Sequence, residues 1–250
     1  MSVKDGGAPM QNSSGLPNTG KPVSLALFDF DGTLIPGDSV AYYLRFARKE
    51  GAVSMSEFLR ALWAATLYGM KRMTDADSKS IGLAFRKRHD QKYLEELDKK
   101  FVHQVLLPKV YAEGKRQIAK HRQEGSILVL VSASTENYMR FVADALGFDT
   151  VLCTPIEADG TIRRNCKGEK KVQRVKDWLA ENALTADPAS SFAYGDSKSD
   201  LPMLRFVGHP VQVNPKKALR QLAPEMDELN WKMMVFHRAL PKMASWNMRL

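Results

Sequence analysis

Short continuous apolar runs along the chain alternate with longer stretches in which apolar residues recur every three or four positions. The runs are Val23–Phe30 (VSLALFDF), Ile127–Val131 (ILVLV), Phe192–Tyr194 and Val211–Val213. A run apolar at every position suits a strand buried on both faces, the habit of parallel sheets. Helical spacing marks Ala112–Gln123, Glu136–Leu146 (closed by Gly147), Glu169–Asn182 and Asp200–Phe206. The alternation predicts an α/β fold, a parallel sheet core with helices on both faces. Each run is followed by small, polar or acidic residues: DFDGT, SAST, GDSKSD and NP. In such folds the carboxyl ends of the strands open onto one crevice, so the four clusters are expected to converge there.

Residues 39–112 break the alternation. Ser39–Glu50, Ser54–Tyr68, Asp75–Arg88 and Lys92–Val105 read as successive amphipathic helices with no strand among them. An inserted all-helical cap over residues 39–112 is expected, splitting the core into 22–38 and 113–240. Residues 1–21 are rich in Gly, Ser, Asn and Pro and are expected to be a disordered extension. Residues 241–250 are set apart as a tail.

Composition narrows the field. The 250 residues are 44% hydrophobic and 26% charged, which suits a full-sized globular core. The longest uncharged apolar-leaning runs, Ala61–Met70 and Ser126–Thr135, span about half of the roughly 20 residues a membrane helix needs. Two cysteines, Cys153 and Cys166, make no disulfide framework or zinc motif. With no apolar signal segment at the start, a cytoplasmic location is expected. The net charge of +9 is uneven. Residues 39–112 hold 14 basic and 8 acidic side chains, whereas residues 113–214 hold 14 and 13. Most of the excess sits in the helical insert and points to an anionic small molecule as its partner, while the charge toward the C-terminus is left unassigned.

Chemistry concentrates at the strand ends. Asp29 and Asp31 in DFDGT stand two apart on an extended chain, so their carboxylates point the same way. Such a pair needs a cation, a shared proton or a lysine nearby, or else closes a turn. Asp196 and Asp200 in GDSKSD are hard oxygen ligands suited to Mg²⁺, although Asp200 also fits a plain helix start. Ser132 ends ILVLV before a predicted helix, either as an anion cradle or as an ordinary N-cap. The stretch Cys166–Val172 (CKGEKKV) supplies lysines in front of another helix.

Taken together and in this order, DFDGT, a strand-ending Ser, Lys and GDxxxD resemble the haloacid dehalogenase superfamily. The helical insert after the first motif resembles its capped, phosphoserine-phosphatase-like branch (subfamily IB). The likeness covers roughly residues 23–236 and implies a Rossmann-like core. It implies that WKMMVF, residues 231–236, completes the sheet. It also implies that Asp29 is a nucleophile forming an aspartyl-phosphate and that Asp31 is the general acid and base. Mg²⁺ would be held by Asp29, the carbonyl of Asp31 and Asp196, with support from Asp200. Ser132 and a lysine would hold phosphoryl oxygens. Lys171 fits the family's context before a helix, and Lys167 competes under the alternative alignment.

The chain departs from phosphoserine phosphatases at Ser199, where they carry Asn, and at Asp38, where they carry Glu near the substrate. It also shows no equivalent of their cap arginine. The expected activity is therefore hydrolysis of a small phosphorylated metabolite, phosphoserine- or histidinol-phosphate-like, with Asp38 as a substrate-contact candidate. Tyr42, Tyr43, Arg45, Trp63, Tyr68, Lys71, Arg72, Arg86 and Arg88 could form a recognition surface on the insert, or simply pack it and solvate it. The basic insert and the Met- and Trp-rich tail also admit a phospholipid head-group phosphatase at a membrane surface. A basic nucleic-acid-binding protein is the contrasting class, and no helix-turn-helix, RNP-type or zinc pattern supports it.

Overall fold

The computed structural model describes residues 21–157, 159–220 and 231–237. The expected N-terminal extension, apart from Lys21, and the tail 241–250 lie outside the described residues. Six strands are β1 Leu25–Phe28, β2 Ile127–Thr135, β3 Thr150–Thr154, β4 Phe192–Gly195, β5 His209–Val213 and β6 Lys232–Met234. The helices are α1 Ser39–Lys49, α2 Met55–Gly69, α3 Asp75–Leu83, α4 Gln91–Phe101, α5 Ala112–Gln123, α6 Glu136–Leu146, α7 Glu169–Glu181, α8 Leu201–Arg205 and α9 Lys217–Arg220.

The strands form one sheet in the order β3-β2-β1-β4-β5-β6, with every pairing parallel. All four residues of β1 are buried, so its sequence reads as a run rather than an alternation. Ala26 and Phe28 join Leu128 and Leu130 on one face, under Ile118 of α5 and Met139 and Val142 of α6. Leu25 and Leu27 join Ile127, Val129 and Val131 on the other, under Val175 and Trp178 of α7 and Leu204 of α8. Phe28 stacks on Tyr194 of the neighbouring strand, ring centroids 4.4 Å apart.

Two sheet features differ from the sequence pattern. β3 is an edge strand of TVLCT, in which two threonines and a cysteine dilute the apolar run. β2 does not stop at Val131. Its register shifts between Val131 and Thr135, and the extended chain runs directly into α6. Ser132 is therefore a strand residue, and Thr135, which stands at the N-cap, makes no side-chain capping bond. The closing strand foreseen in residues 231–236 is present as β6.

The helices of the insert start where side chains satisfy their first N–H groups. Asp38, Ser54, Thr74 and Asp90 accept from the backbone N–H of Ala41, Glu57, Asp77 and Tyr93. The predicted helix Asp75–Arg88 loosens into a tighter 3₁₀ turn over Ala84–Arg88. The one predicted to Val105 widens into a π turn over Val102–Leu106, just ahead of Pro108. Tyr43 of α1, Phe101 of α4 and Tyr138 of α6 pack ring against ring at 5.0–5.2 Å and tie the insert to the sheet layer. Beside them, Asp98 is buried under a two-point ion pair with Arg86, at 2.9 and 3.0 Å, and accepts from Tyr43 and Asn137. Tyr43 and Arg86 thus belong to the packing of the insert rather than to a recognition surface.

No helix among the described residues is long and apolar enough to cross a membrane. Cys153 and Cys166 are both buried free thiols.

Candidate active site

β1 delivers Asp29 to the carboxyl edge of the sheet, where its N–H donates to the carbonyl of Tyr194 on β4. The Asp29 side chain is buried and both oxygens are engaged. Oδ1 accepts from Lys171 Nζ at 2.5 Å, and Oδ2 accepts from the Thr33 hydroxyl at 3.0 Å. Lys171 enters from the first turn of α7, where Gly168 stands at the helix start with φ +61. Its ammonium also donates to Asp200 Oδ1 at 2.6 Å, and the side chain is almost wholly buried. Asp200 is held in turn by the backbone N–H and hydroxyl of Ser197.

Asp196, at the end of β4, completes the centre. Asp29, Asp196 and Asp200 each offer a carboxylate oxygen, and the three oxygens lie within 4.8 Å of one another. Gly32 makes room for this, since a Cβ there would stand 2.1 Å from Asp196 Oδ2. On the solvent side, Lys216 Nζ lies 2.6 Å from Asp196 Oδ2, and the Lys216 N–H donates to the Asp196 carbonyl at 2.8 Å.

Burial and the neighbouring Asp200 push the carboxyl of Asp29 up to about 8, against the pull of Lys171. Burial also raises Asp196, with Lys216 opposing. Burial alone would lower Lys171, but Asp200 and Asp29 outweigh it and hold the ammonium firmly charged. A buried group of three carboxylates facing two lysines is thus short of positive charge. The hard oxygen donors and their closeness fit a small divalent cation such as Mg²⁺.

Asp31 is held apart from this cluster. Its Oδ1 accepts from the Ser39 N–H at 2.6 Å, and its Oδ2 accepts from the hydroxyls of Ser39, at 3.0 Å, and Ser134. Burial and the charge of Asp38 raise its carboxyl to about 6, in spite of those donors. Asp38 itself is exposed at the N-terminus of α1. Ser132 is fully buried beside β1, its oxygen accepting from the Ser134 N–H at 3.0 Å.

The structure therefore brings Asp29, Lys171, Asp196 and Asp200 into direct contact or near it, with Asp31 and Ser132 on the adjoining strand ends. Lys167 is elsewhere: it donates to Tyr68 and Asp75 of the insert, at 2.6 and 3.0 Å. Several residues at the site were not singled out beforehand. Thr33 and Ser134 lie inside the quoted motifs, and Ser39 opens the first predicted helix of the insert, all three as hydroxyls that hold a carboxylate. Lys216 follows the NP turn after β5. Lys79 of α3, which donates to the Ala133 carbonyl at 2.8 Å, has no local signal at all.

A parallel α/β core whose strands end in a buried acidic centre places its chemistry at the carboxyl edge of the sheet. The family model of haloacid dehalogenase-like hydrolases matches residues 26–205, and the chain belongs to that family. It is similar to a histidinol-phosphatase of Neisseria meningitidis, 29% identical and covering 85% of this chain and 99% of the relative. A phosphoserine phosphatase of Mycobacterium tuberculosis is 28% identical over 80% of this chain and 68% of the relative. Among solved structures, a Bordetella pertussis protein of unknown function superposes with a TM-score of 0.78 at 27% identity, covering 86% of this chain and 99% of that one.

Proposed function

We propose that this protein is a Mg²⁺-dependent phosphomonoester hydrolase working through an aspartyl-phosphate on Asp29. The observation that carries the reading is the division of labour between two carboxylates on one strand end. Asp29 is pinned by Lys171 and Thr33 toward the acidic centre, whereas Asp31 is held separately by Ser39 and Ser134. The first is oriented as a nucleophile, and the second, with its carboxyl raised to about 6, can carry a proton.

Asp29, Asp196 and the Asp31 carbonyl would hold Mg²⁺, with Asp200 supporting. The ion would neutralise the carboxylates and polarise the phosphoryl group. An Asp29 oxygen attacks phosphorus as the ester P–O bond breaks, and Asp31 gives its proton to the departing alcohol oxygen. Asp31 then takes a proton from water. That water attacks the phosphoryl group, releasing inorganic phosphate and the Asp29 carboxylate. Lys171 and the Ser132 hydroxyl steady the charge on the transferring oxygens. With its carboxyl raised to about 6, Asp31 exchanges a proton readily near neutrality.

The named relatives favour a small phosphorylated metabolite of the histidinol phosphate or phosphoserine type. Asp38, exposed at the start of α1 a single residue before Ser39, is the candidate to meet the leaving group. The test is Mg²⁺-dependent hydrolysis of p-nitrophenyl phosphate by wild type and Asp29→Asn, with acid quenching and peptide mapping of the phosphorylated residue. A loss on the order of a thousandfold in kcat and a phosphoryl group on the peptide holding Asp29 are expected. Equal rates, or a label on another peptide, would overturn the mechanism.

A further inference from the structure

Helix α2 is apolar on the side that faces away from the protein. Its buried residues are Ala61 and Ala64, whereas Met55, Leu59, Leu62, Trp63 and Met70 are exposed, Trp63 to 63%. Their spacing places them in one stripe that runs the length of the helix. Arg60 lies exposed within the helix, and Lys71 and Arg72 lie exposed just past its end. The single acidic residue between 55 and 72, Glu57, is already paired with Arg88 at 2.6 Å.

We propose that α2 is an interfacial helix that seats the helical insert on an anionic lipid bilayer. Charge decides between the possible occupants. A second copy would bring a second insert of 14 basic and 8 acidic residues against the first. An anionic bilayer supplies the opposite sign to Arg60, Lys71 and Arg72 while accepting the Leu, Met and Trp side chains. The helix also touches the segment that leads into α7. Tyr68 near its end accepts from Lys167, four residues before Lys171. A bilayer under α2 would therefore lie beside the segment that carries the buried lysine. The inference concerns where the enzyme works and does not depend on the phosphatase reading.

The test is flotation of the full chain with vesicles of phosphatidylglycerol and phosphatidylcholine, and with phosphatidylcholine alone, at about 0.1 M salt. Binding to the anionic vesicles and little to the neutral ones is expected. Leu59→Glu/Trp63→Glu, two exposed positions that leave the core untouched, should lower the bound fraction on the order of tenfold. Arg60→Gln/Lys71→Gln/Arg72→Gln should erase the preference for the anionic lipid. Asp29→Asn should bind as wild type does, so loss of catalysis and loss of binding are read separately. Wild type that stays unbound to anionic vesicles overturns the proposal. So does a Leu59→Glu/Trp63→Glu variant that binds undiminished. A wild-type dimer that this double variant makes monomeric, without vesicle binding, would assign the stripe to a second copy instead.

Discussion

The carboxylate of Asp196 occupies the space in which a side chain on Gly32 would begin: 2.1 Å separates its Oδ2 from an ideal Cβ there. Gly32 also has φ +87, a conformation that L side chains rarely adopt. Substituting Gly32→Ala should therefore displace Asp196 while leaving both hydrophobic layers of the sheet intact. The expected result is a fall in kcat/KM on the order of a hundredfold, with a higher Mg²⁺ requirement. Metal-dependence curves of the two proteins check it.

Lys171 is the counterion shared by Asp29 and Asp200, and all three are buried. Lys171→Met leaves two buried carboxylates without their ammonium. Breaking a buried pair on one side costs about 3–5 kcal/mol. A fall in Tm on the order of 10 °C is expected for a chain of this size. Lys167→Met removes a contact that is partly exposed, with 37% of the lysine side chain accessible, and should leave Tm nearly unchanged. Thermal denaturation of both variants distinguishes the two lysines.

Asp98 joins Arg86 and Tyr43 of the insert to Asn137 of α6. Asp98→Ala leaves a mostly buried guanidinium without its partner and should destabilise by about 3 kcal/mol. Asp98→Asn keeps part of the hydrogen bonding and should cost less. Urea titration measures both, and the order of the two midpoints is the test.

His121 of α5 is fully buried, with Nε2 2.7 Å from the Tyr194 hydroxyl. Burial holds its imidazole below the usual range, against the raising charge of Glu124. Its folded pKa is therefore lower than its unfolded one. The stability tied to neutral His121 is fully present above about 6.5 and is lost as pH falls through that value toward the folded pKa. In His121→Gln this loss is absent. The Tm difference between wild type and variant should shrink between pH 7.5 and 5, and a constant difference would disprove the linkage.

How much of this was legible in sequence depended on how local the signal was. Asp29, Asp31 and Asp196 stand out because each ends or follows an apolar strand, and strand ends in a parallel sheet meet. Choosing between Lys171 and Lys167 needed the fold. Lys171 stands in the first turn of α7 and Lys167 just ahead of the helix, on the other side of the Gly168 turn, and only the folded path sends one to Asp29 and the other to Asp75. Lys216 and Lys79 were invisible because each acts across a long sequence separation, from a turn and from the insert. β3 escaped because an edge strand is under less pressure to be apolar throughout. Tyr43 and Arg86 resembled recognition residues by type, yet burial assigns them to packing.

The position of β1 inside the sheet has a further consequence, for synthesis. Leu25 pairs with Ile127 and Ala26 with Phe192, so the strand that leads into Asp29 waits for partners made long after it. Emerging from the ribosome, residues 25–28 have no ladder to join until β2 and then β4 are released, although the insert can already coil into helices. The acidic centre thus comes together only once β4 and the residues just after it have been made. A chain interrupted before Asp196 holds Asp29 alone of the three clustered carboxylates.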